Sequence, residues 1–114
     1  MKKAVVIKTN GTTETIEMGP SNELSVLQES VGGWIQAIQL SDTLVMWLNE
    51  EGKMESLPHN AIAQWYWDMA FGPETDYIVG NVVFTGGVDN EGETIGLTEE
   101  QVATLSDTSN LVSN

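Results

Sequence analysis

The sequence contains no cysteine and no arginine, and its one histidine is His59. The absence of cysteine excludes disulfides, thiolate zinc sites and a cysteine nucleophile. The absence of arginine removes the side chain that most often clamps a phosphate with two parallel hydrogen bonds. No apolar run approaches the roughly 20 residues of a membrane helix, and the apolar residues 4–7 are too few for a signal peptide. We therefore expect a cytoplasmic protein that does not bind membranes.

Positive charge is also scarce. Four lysines stand against seventeen acidic residues, which gives a formal net charge of −13. Such a chain repels phosphates, so we expect no direct binding to nucleic acid. The acidity either serves solubility alone or imitates a nucleic-acid backbone toward a DNA-binding protein of a host.

The negative charge is uneven along the chain. Residues 1–38 carry three lysines and four acids, whereas residues 39–76 carry one lysine and seven acids, and residues 77–114 carry six acids and no lysine. This distribution predicts an acidic surface in the last two thirds of the chain. Its candidate residues are Glu50, Glu51, Glu55, Asp89, Glu91, Glu93, Glu99 and Glu100.

The length of 114 residues suits one domain, and 40% of them are hydrophobic, enough for a core without metals or disulfides. Alternating or apolar segments bounded by turn residues predict several strands. They cover residues 4–8, 12–18, 34–40, 43–49, 54–57 and 77–85. Asn10-Gly11 predicts a tight hairpin with positive φ at both positions, and the apolar run at 44–48 predicts a central strand.

Three segments predict helices. The first begins at a cap on Ser21 or Asn22 and ends at Gly32. The second covers residues 59–70 after Pro58, with a core stripe formed by Ile62, Trp65, Tyr66 and Met69. The third covers residues 99–106 behind a capping box of Thr98 and Gln101. Together these elements predict an α+β domain over residues 1–106, a mainly antiparallel sheet with two to three short helices packed on it, and a flexible polar tail over residues 107–114.

Two polar pairs are candidate binding residues because they lie at the two ends of the predicted strand 54–57. Asn49 and Glu50 precede it, and His59 and Asn60 follow it. Convergence at one edge of the sheet would offer hydrogen bonds to a small polar ligand. The alternative is turn chemistry, in which asparagine bonds its own backbone.

Four tryptophans are candidates for packing or recognition. We expect Trp34, Trp47 and Trp65 in the core. Trp67 lies off the apolar stripe of the second helix, so it contacts a neighbouring subunit in a homodimer, stacks on a ligand, or lies under a loop.

No catalytic or metal-binding arrangement stands out. His59 lacks a recognisable nucleophile motif around it, and the adjacent acids of Glu99-Glu100 suit the start of a helix. The carboxylates of Asp89, Glu91, Glu93 and Glu100 have calcium-loop spacing, but Thr94 replaces the glycine that such a loop requires. We predict no catalytic residues, no metal and no cofactor.

Four short motifs in a fixed order resemble domain-of-unknown-function family 3846, a set of small proteins found largely in bacteriophages and mobile elements. The motifs are Leu27-Gln28 with Val31-Gly32-Gly33-Trp34-Ile35, Asn49-Glu50-x-Gly52-Lys53 with Leu57-Pro58-x-Asn60, Ile78-Val79-Gly80 before Gly86, and Gly96-Leu97-Thr98-Glu99-Glu100. The resemblance covers residues 25–103. It implies a phage-type accessory protein in a bacterial host's cytoplasm and brings no catalytic residues.

The resulting functional expectation is a non-catalytic protein that binds and modulates a host protein through its acidic surface. A nucleic-acid mimic is one form of this. The alternative is a module that binds a small ligand or a nucleotide signal near Asn49, Glu50, His59 and Asn60.

Overall fold

A computed structural model describes residues 1–107 and shows a five-stranded antiparallel sheet with three helices, which confirms the predicted α+β class. The predicted tail at 107–114 lies outside the described residues apart from Asp107. In chain order the elements are β1 (Lys2–Ile7), β2 (Thr13–Met18), α1 (Glu23–Val31), β3 (Ile35–Ser41), β4 (Leu44–Asn49), α2 (Ala61–Phe71), β5 (Val82–Thr85) and α3 (Glu99–Ser106).

The sheet has the order β2-β1-β5-β4-β3, and all of its ladders are antiparallel. β5 is therefore the middle strand, and all four of its residues are buried. It joins the N-terminal hairpin to the β3–β4 hairpin. β4 is also an interior strand, as its continuous apolar run predicted.

Successive side chains along each strand point to opposite faces of the sheet, so a core forms on each face. One core lies under α2 and α3 and includes Ile7, Met46 and Phe84. The other lies under α1 and includes Val6 and Val83. The fold is thus three layers, with α1 on one face and the other two helices on the opposite face.

The first hairpin forms where Asn10-Gly11 predicted it, but with a three-residue loop. Gly11 has a φ of 89°, while Asn10 is not among the residues with positive φ, so the predicted two-residue turn is wrong. Lys8 donates its N–H to the carbonyl of Thr12, and its own carbonyl accepts from Gly11 N–H. This is a turn closed by one left-handed glycine, the next commonest hairpin connection. The Asn10 side chain accepts from Thr12 N–H at 3.0 Å instead of imposing a second positive φ.

Two predicted helix ends are confirmed. Gly32 closes α1 in the left-handed conformation, with φ 81°. Thr98 and Gln101 form a reciprocal capping box at the start of α3, and the helix covers Glu99–Ser106 as predicted. Asn22 is the N-cap residue of α1, but its side chain accepts from Gly19 N–H rather than from the helix.

The segment between β4 and α2 differs from the prediction. Residues 50–56 are turns, so the predicted strand 54–57 is absent and that prediction is wrong. α2 begins at Ala61 rather than at residue 59, because Asn60 is its N-cap and His59 pairs as an isolated bridge with Val79. The last strand begins at Val82 and not at residue 77, because Gly80 just before it has a φ of 80°, outside the extended conformation.

The predicted core stripe of α2 is only partly correct. Ile62 is buried, but Trp65 is 40% exposed and Met69 is 69% exposed. The helix is rotated so that Ala63 enters the core beside Ile62. Trp34, also predicted in the core, is 66% exposed. Within residues 1–107 no helix has the length and hydropathy to cross a membrane.

Candidate functional site

Asn49, the last residue of β4, is a structural residue rather than an open ligand group. It is buried, and its amide donates to the carbonyl of Val31 at 3.3 Å and to the Glu55 carboxylate at 3.2 Å. Its side-chain oxygen accepts from Glu51 N–H at 2.8 Å. Asn49 thus fastens the 50–56 turns to the end of α1, and its hydrogen bonds are satisfied within the chain.

The side chain of Asn60 likewise forms its hydrogen bonds within the chain. Its amide donates to the carbonyls of Ile7 and Gly80, and its side-chain oxygen accepts from Ala63 N–H as the N-cap of α2. It is only 1% exposed. Asn49 therefore matches the turn chemistry that was the alternative to a ligand site, because it bonds the backbone two residues on. Asn60 instead caps a helix and bonds the carbonyls of distant segments.

His59 and Glu50 remain on the surface, but their contacts differ. The His59 ring stacks on Tyr77 with centroids 4.4 Å apart, and its Nε2 lies 3.1 Å from Gln64 Oε1. Glu50 is exposed and uses its N–H to bond the carbonyl of Trp34.

A shallow cavity of about 120 Å³ lies beside Glu50. Its polar lining includes Gln36, Glu50, Lys53, Asp76 and Tyr77. Lys53 and Asp76 form an ion pair across it. The hydrogen bond from Lys53 lowers the pKa of the Asp76 carboxyl, and the N–H of Tyr77 adds to this effect. Of the two predicted polar pairs, Asn49 and Glu50 line the cavity, whereas His59 stacks on the lining residue Tyr77 and Asn60 does not line it.

Trp67 lies against a loop. Its indole N–H donates to Thr75 Oγ1 at 2.7 Å, and its ring packs on Phe71 with centroids 4.4 Å apart. The ring is half-buried against the core under α2 and α3. Of the three alternatives from the sequence, these contacts fit the tryptophan beneath a loop.

The predicted acidic residues are exposed, and they fall into two groups at opposite ends of β4. Glu50, Glu51 and Glu55 follow its last residue. The others lie near its first residue, because the backbone of Gly87 abuts the carbonyl of Asp42 and the Gln101 amide donates to the carbonyl of Thr43 at 2.8 Å. Six strand residues separate the groups by about 17 Å.

We use the name acidic end for the second group together with the exposed Asp42. The acidic end comprises Asp42, Asp89, Glu91, Glu93, Glu99 and Glu100. Its one lysine contact within residues 1–107 is Lys3, 3.6 Å from Glu99, because Lys2, Lys8 and Lys53 pair with carboxylates elsewhere. Within residues 1–107 the acidic end therefore combines six exposed carboxylates with one lysine ion pair.

The calcium-like spacing in the acidic end does not produce a metal site. One Asp89 carboxylate oxygen accepts from Glu91 N–H and from Glu93 N–H, so this side chain closes its own turn. No cluster of three or more metal-ligating side chains exists within the part of the chain that the structure describes.

A groove between α2 and α3 borders the acidic end, and the sequence did not predict it. Its volume is about 190 Å³. Leu44, Tyr66 and Leu105 supply its apolar lining, and Glu100, Gln101 and Thr104 stand on its α3 side. Burial raises the pKa of the Tyr66 phenol, which stays neutral at neutral pH. The groove could not be read from the sequence, because it depends on which faces of two distant helices meet.

Comparison with known proteins identifies a family but no individual relative. Neither the curated proteins nor the solved structures contain a match to the chain. A family model matches residues 1–110, which extends beyond the four motifs on both sides and confirms the resemblance they indicated. Because this match covers nearly the whole chain, the protein belongs to the family described as domain of unknown function (DUF3846).

Proposed function

We propose that this protein is a non-catalytic binding protein that modulates a basic host protein through its acidic surface. It acts as a phage-type accessory protein in the cytoplasm of a bacterial host. The observation that supports this proposal is the acidic end, where six exposed carboxylates from three segments lie near one paired lysine. Like-charge clustering of this kind is unfavourable for the free protein and favourable beside a positively charged partner.

One form of the proposal is imitation of a nucleic-acid backbone. The carboxylates of the acidic end come from the β3–β4 turn, the 89–93 loop and the start of α3, so the fold fixes their relative positions. The protein and DNA would then compete for a partner that normally binds DNA. Binding by electrostatic attraction is weakened by salt, because counterions screen exposed charges.

The experiment is capture of a partner from host lysate, followed by titration calorimetry with the purified partner. We expect affinity to fall by at least about tenfold between about 50 mM and about 300 mM salt. Glu91→Gln, Glu93→Gln and Glu100→Gln combined should weaken binding. The control combines Glu14→Gln, Glu29→Gln and Glu74→Gln, three exposed acids outside the acidic end, with the same change of charge. Salt-independent binding, or equal losses in the two triple variants, would contradict the proposal.

A second candidate is the binding of a small polar ligand in the cavity beside Glu50. Lys53 and the exposed ring of Tyr77 favour it. The cavity is smaller than the roughly 300 Å³ or more of typical ligand pockets, and Asp76 already neutralises the lysine. A thermal-shift screen with nucleotides tests this candidate, since a ligand at 100 times its Kd stabilises a protein by about 2.7 kcal/mol. Absence of any shift would count against it.

A further inference from the structure

We propose that the groove between α2 and α3 is the docking site for a basic segment of the partner. The segment seats one apolar side chain on Leu44 and Tyr66 and places lysines or arginines toward the acidic end. This inference rests on the proposed function and identifies the part of the surface that recognises the partner.

The shape of the groove sets the size of the anchor. At about 190 Å³ it holds one large side chain rather than a whole small molecule. Leu44 and Tyr66 supply its partly exposed apolar surface, and the buried Leu105 lies on its α3 side. An apolar anchor in such a pocket is the usual centre of a binding hot spot.

Exposed apolar side chains continue from the groove over the surface of α2. Trp65 contacts Tyr66 edge to face, with ring centroids 5.1 Å apart, and Tyr66 in turn packs on the buried Phe84 at 5.0 Å. Met69 lies one helical turn after Trp65 and is also exposed. A tryptophan and a methionine exposed on one helix face are typical of a recognition surface.

The charge beside the groove determines which partner fits. Glu100 lines the groove itself, and Glu99 and Asp42 lie at the same end of the sheet. An apolar groove with carboxylates along one side complements an amphipathic segment that carries lysine or arginine beside its apolar anchor. A second copy of this chain is disfavoured there, because it would bring two acidic ends together.

The groove is also preformed. Gln101 uses its side-chain oxygen to cap α3 and its amide to bond the carbonyl of Thr43. The start of α3 is thereby attached to the β3–β4 turn, whose Ser41 and Thr43 also line the groove. A fixed groove avoids the entropic cost of ordering at binding.

The test uses two synthetic peptides of equal charge, each with eight lysines, one with a central tryptophan and one with a central serine. The variants are Thr104→Arg, which fills the groove, and Ala103→Arg, which makes the same charge change on the exposed surface outside it. We expect the tryptophan peptide to bind about tenfold more tightly than the serine peptide, and Thr104→Arg but not Ala103→Arg to abolish that difference. Amide chemical shifts should change at Tyr66 and Leu105.

A second pair of variants keeps the test valid if Thr104→Arg fails to fold. Glu100→Gln should weaken binding of the tryptophan peptide more than Glu29→Gln, which removes an equal charge on α1 at the opposite face. Equal affinity of the two peptides would overturn the groove while leaving the acidic surface as the binding element. Binding of neither peptide at about 50 mM salt would overturn the proposed function as well. Dimerisation that Thr104→Arg alone disrupts would assign the groove to a second copy and overturn the basic partner.

Discussion

The side-chain amide of Asn60 donates a hydrogen bond of 3.0 Å to the main-chain carbonyl of Ile7, which lies fifty-three positions earlier in the chain. The same amide donates to the carbonyl of Gly80 at 2.9 Å, while the side-chain oxygen caps α2 at Ala63 N–H. One buried side chain therefore joins the end of β1, the approach to β5 and the start of α2. Only an amide can donate twice and accept once in this geometry.

Asn60→Ala should lower the free energy of unfolding by about 3 kcal/mol. The substitution removes a helix cap, worth about 1 kcal/mol, and it leaves two buried carbonyls without these donors. Asn60→Asp keeps the capping oxygen but places a carboxylate against the two carbonyls, so we expect a loss at least as large. Urea unfolding measures both, with the exposed Asn90→Ala as the control within about 0.5 kcal/mol of the parent. If Asn60→Ala lowered the free energy of unfolding by only the roughly 1 kcal/mol of a helix cap, the hydrogen bonds to Ile7 and Gly80 would not stabilise the fold.

Features of the fold that depend on neighbouring residues could be predicted from the sequence. The capping box of Thr98 and Gln101 is complete within four residues, and Gly32 ends α1 by its own conformational freedom. The strands on either side of Ser41 follow their local apolar pattern. These signals need no knowledge of distant contacts, which is why they survive into the structure.

Features set by distant partners could not be predicted. The sequence predicted Asn60 as a ligand-binding residue, because no residue near it in sequence indicates that the carbonyls of Ile7 and Gly80 accept its hydrogen bonds. Trp65 looked buried because helical spacing gives the apolar stripe but not which side of it the sheet covers. The acidic surface had the same ambiguity: composition located its segments, and only the register of β4 places them at opposite ends.

Thr98→Ala should lower the free energy of unfolding by about 1 kcal/mol, because it removes the acceptor for Gln101 N–H at the start of α3. Gln101→Ala should cost more, since Gln101 also donates to the carbonyl of Thr43. The matched control is Thr104→Ala in the same helix, which removes no capping bond and places a better helix former at an exposed position. Chemical denaturation separates the three, and equal losses for Thr98→Ala and Thr104→Ala would contradict the capping assignment.

Gly87→Ala should destabilise the protein by about 2 kcal/mol or more. A Cβ at this position would lie 2.0 Å from the main-chain oxygen of Asp42, and a backbone atom cannot move away as a flexible side chain can. Gly32→Ala is the comparison, because a Cβ there meets no atom within 4 Å and the cost is that of a left-handed alanine alone, about 1 kcal/mol. Thermal unfolding should give a lower Tm for Gly87→Ala than for Gly32→Ala. The opposite order would show that the contact with Asp42 is not tight.

Asp76→Asn should remove a contribution to stability that depends on pH. The hydrogen bond from Lys53 lowers the pKa of Asp76 in the folded protein, so folding favours the carboxylate. Its contribution is complete above the ordinary aspartate pKa of about 3.9 and is lost as the pH falls through the lowered folded value. The pair is solvent-exposed, so we expect under about 1 kcal/mol at neutral pH. In urea unfolding, the difference in unfolding free energy between the parent and Asp76→Asn should shrink on acidification and in high salt. Glu29→Gln is the control for removal of one exposed charge. A difference that grows on acidification would contradict the assignment.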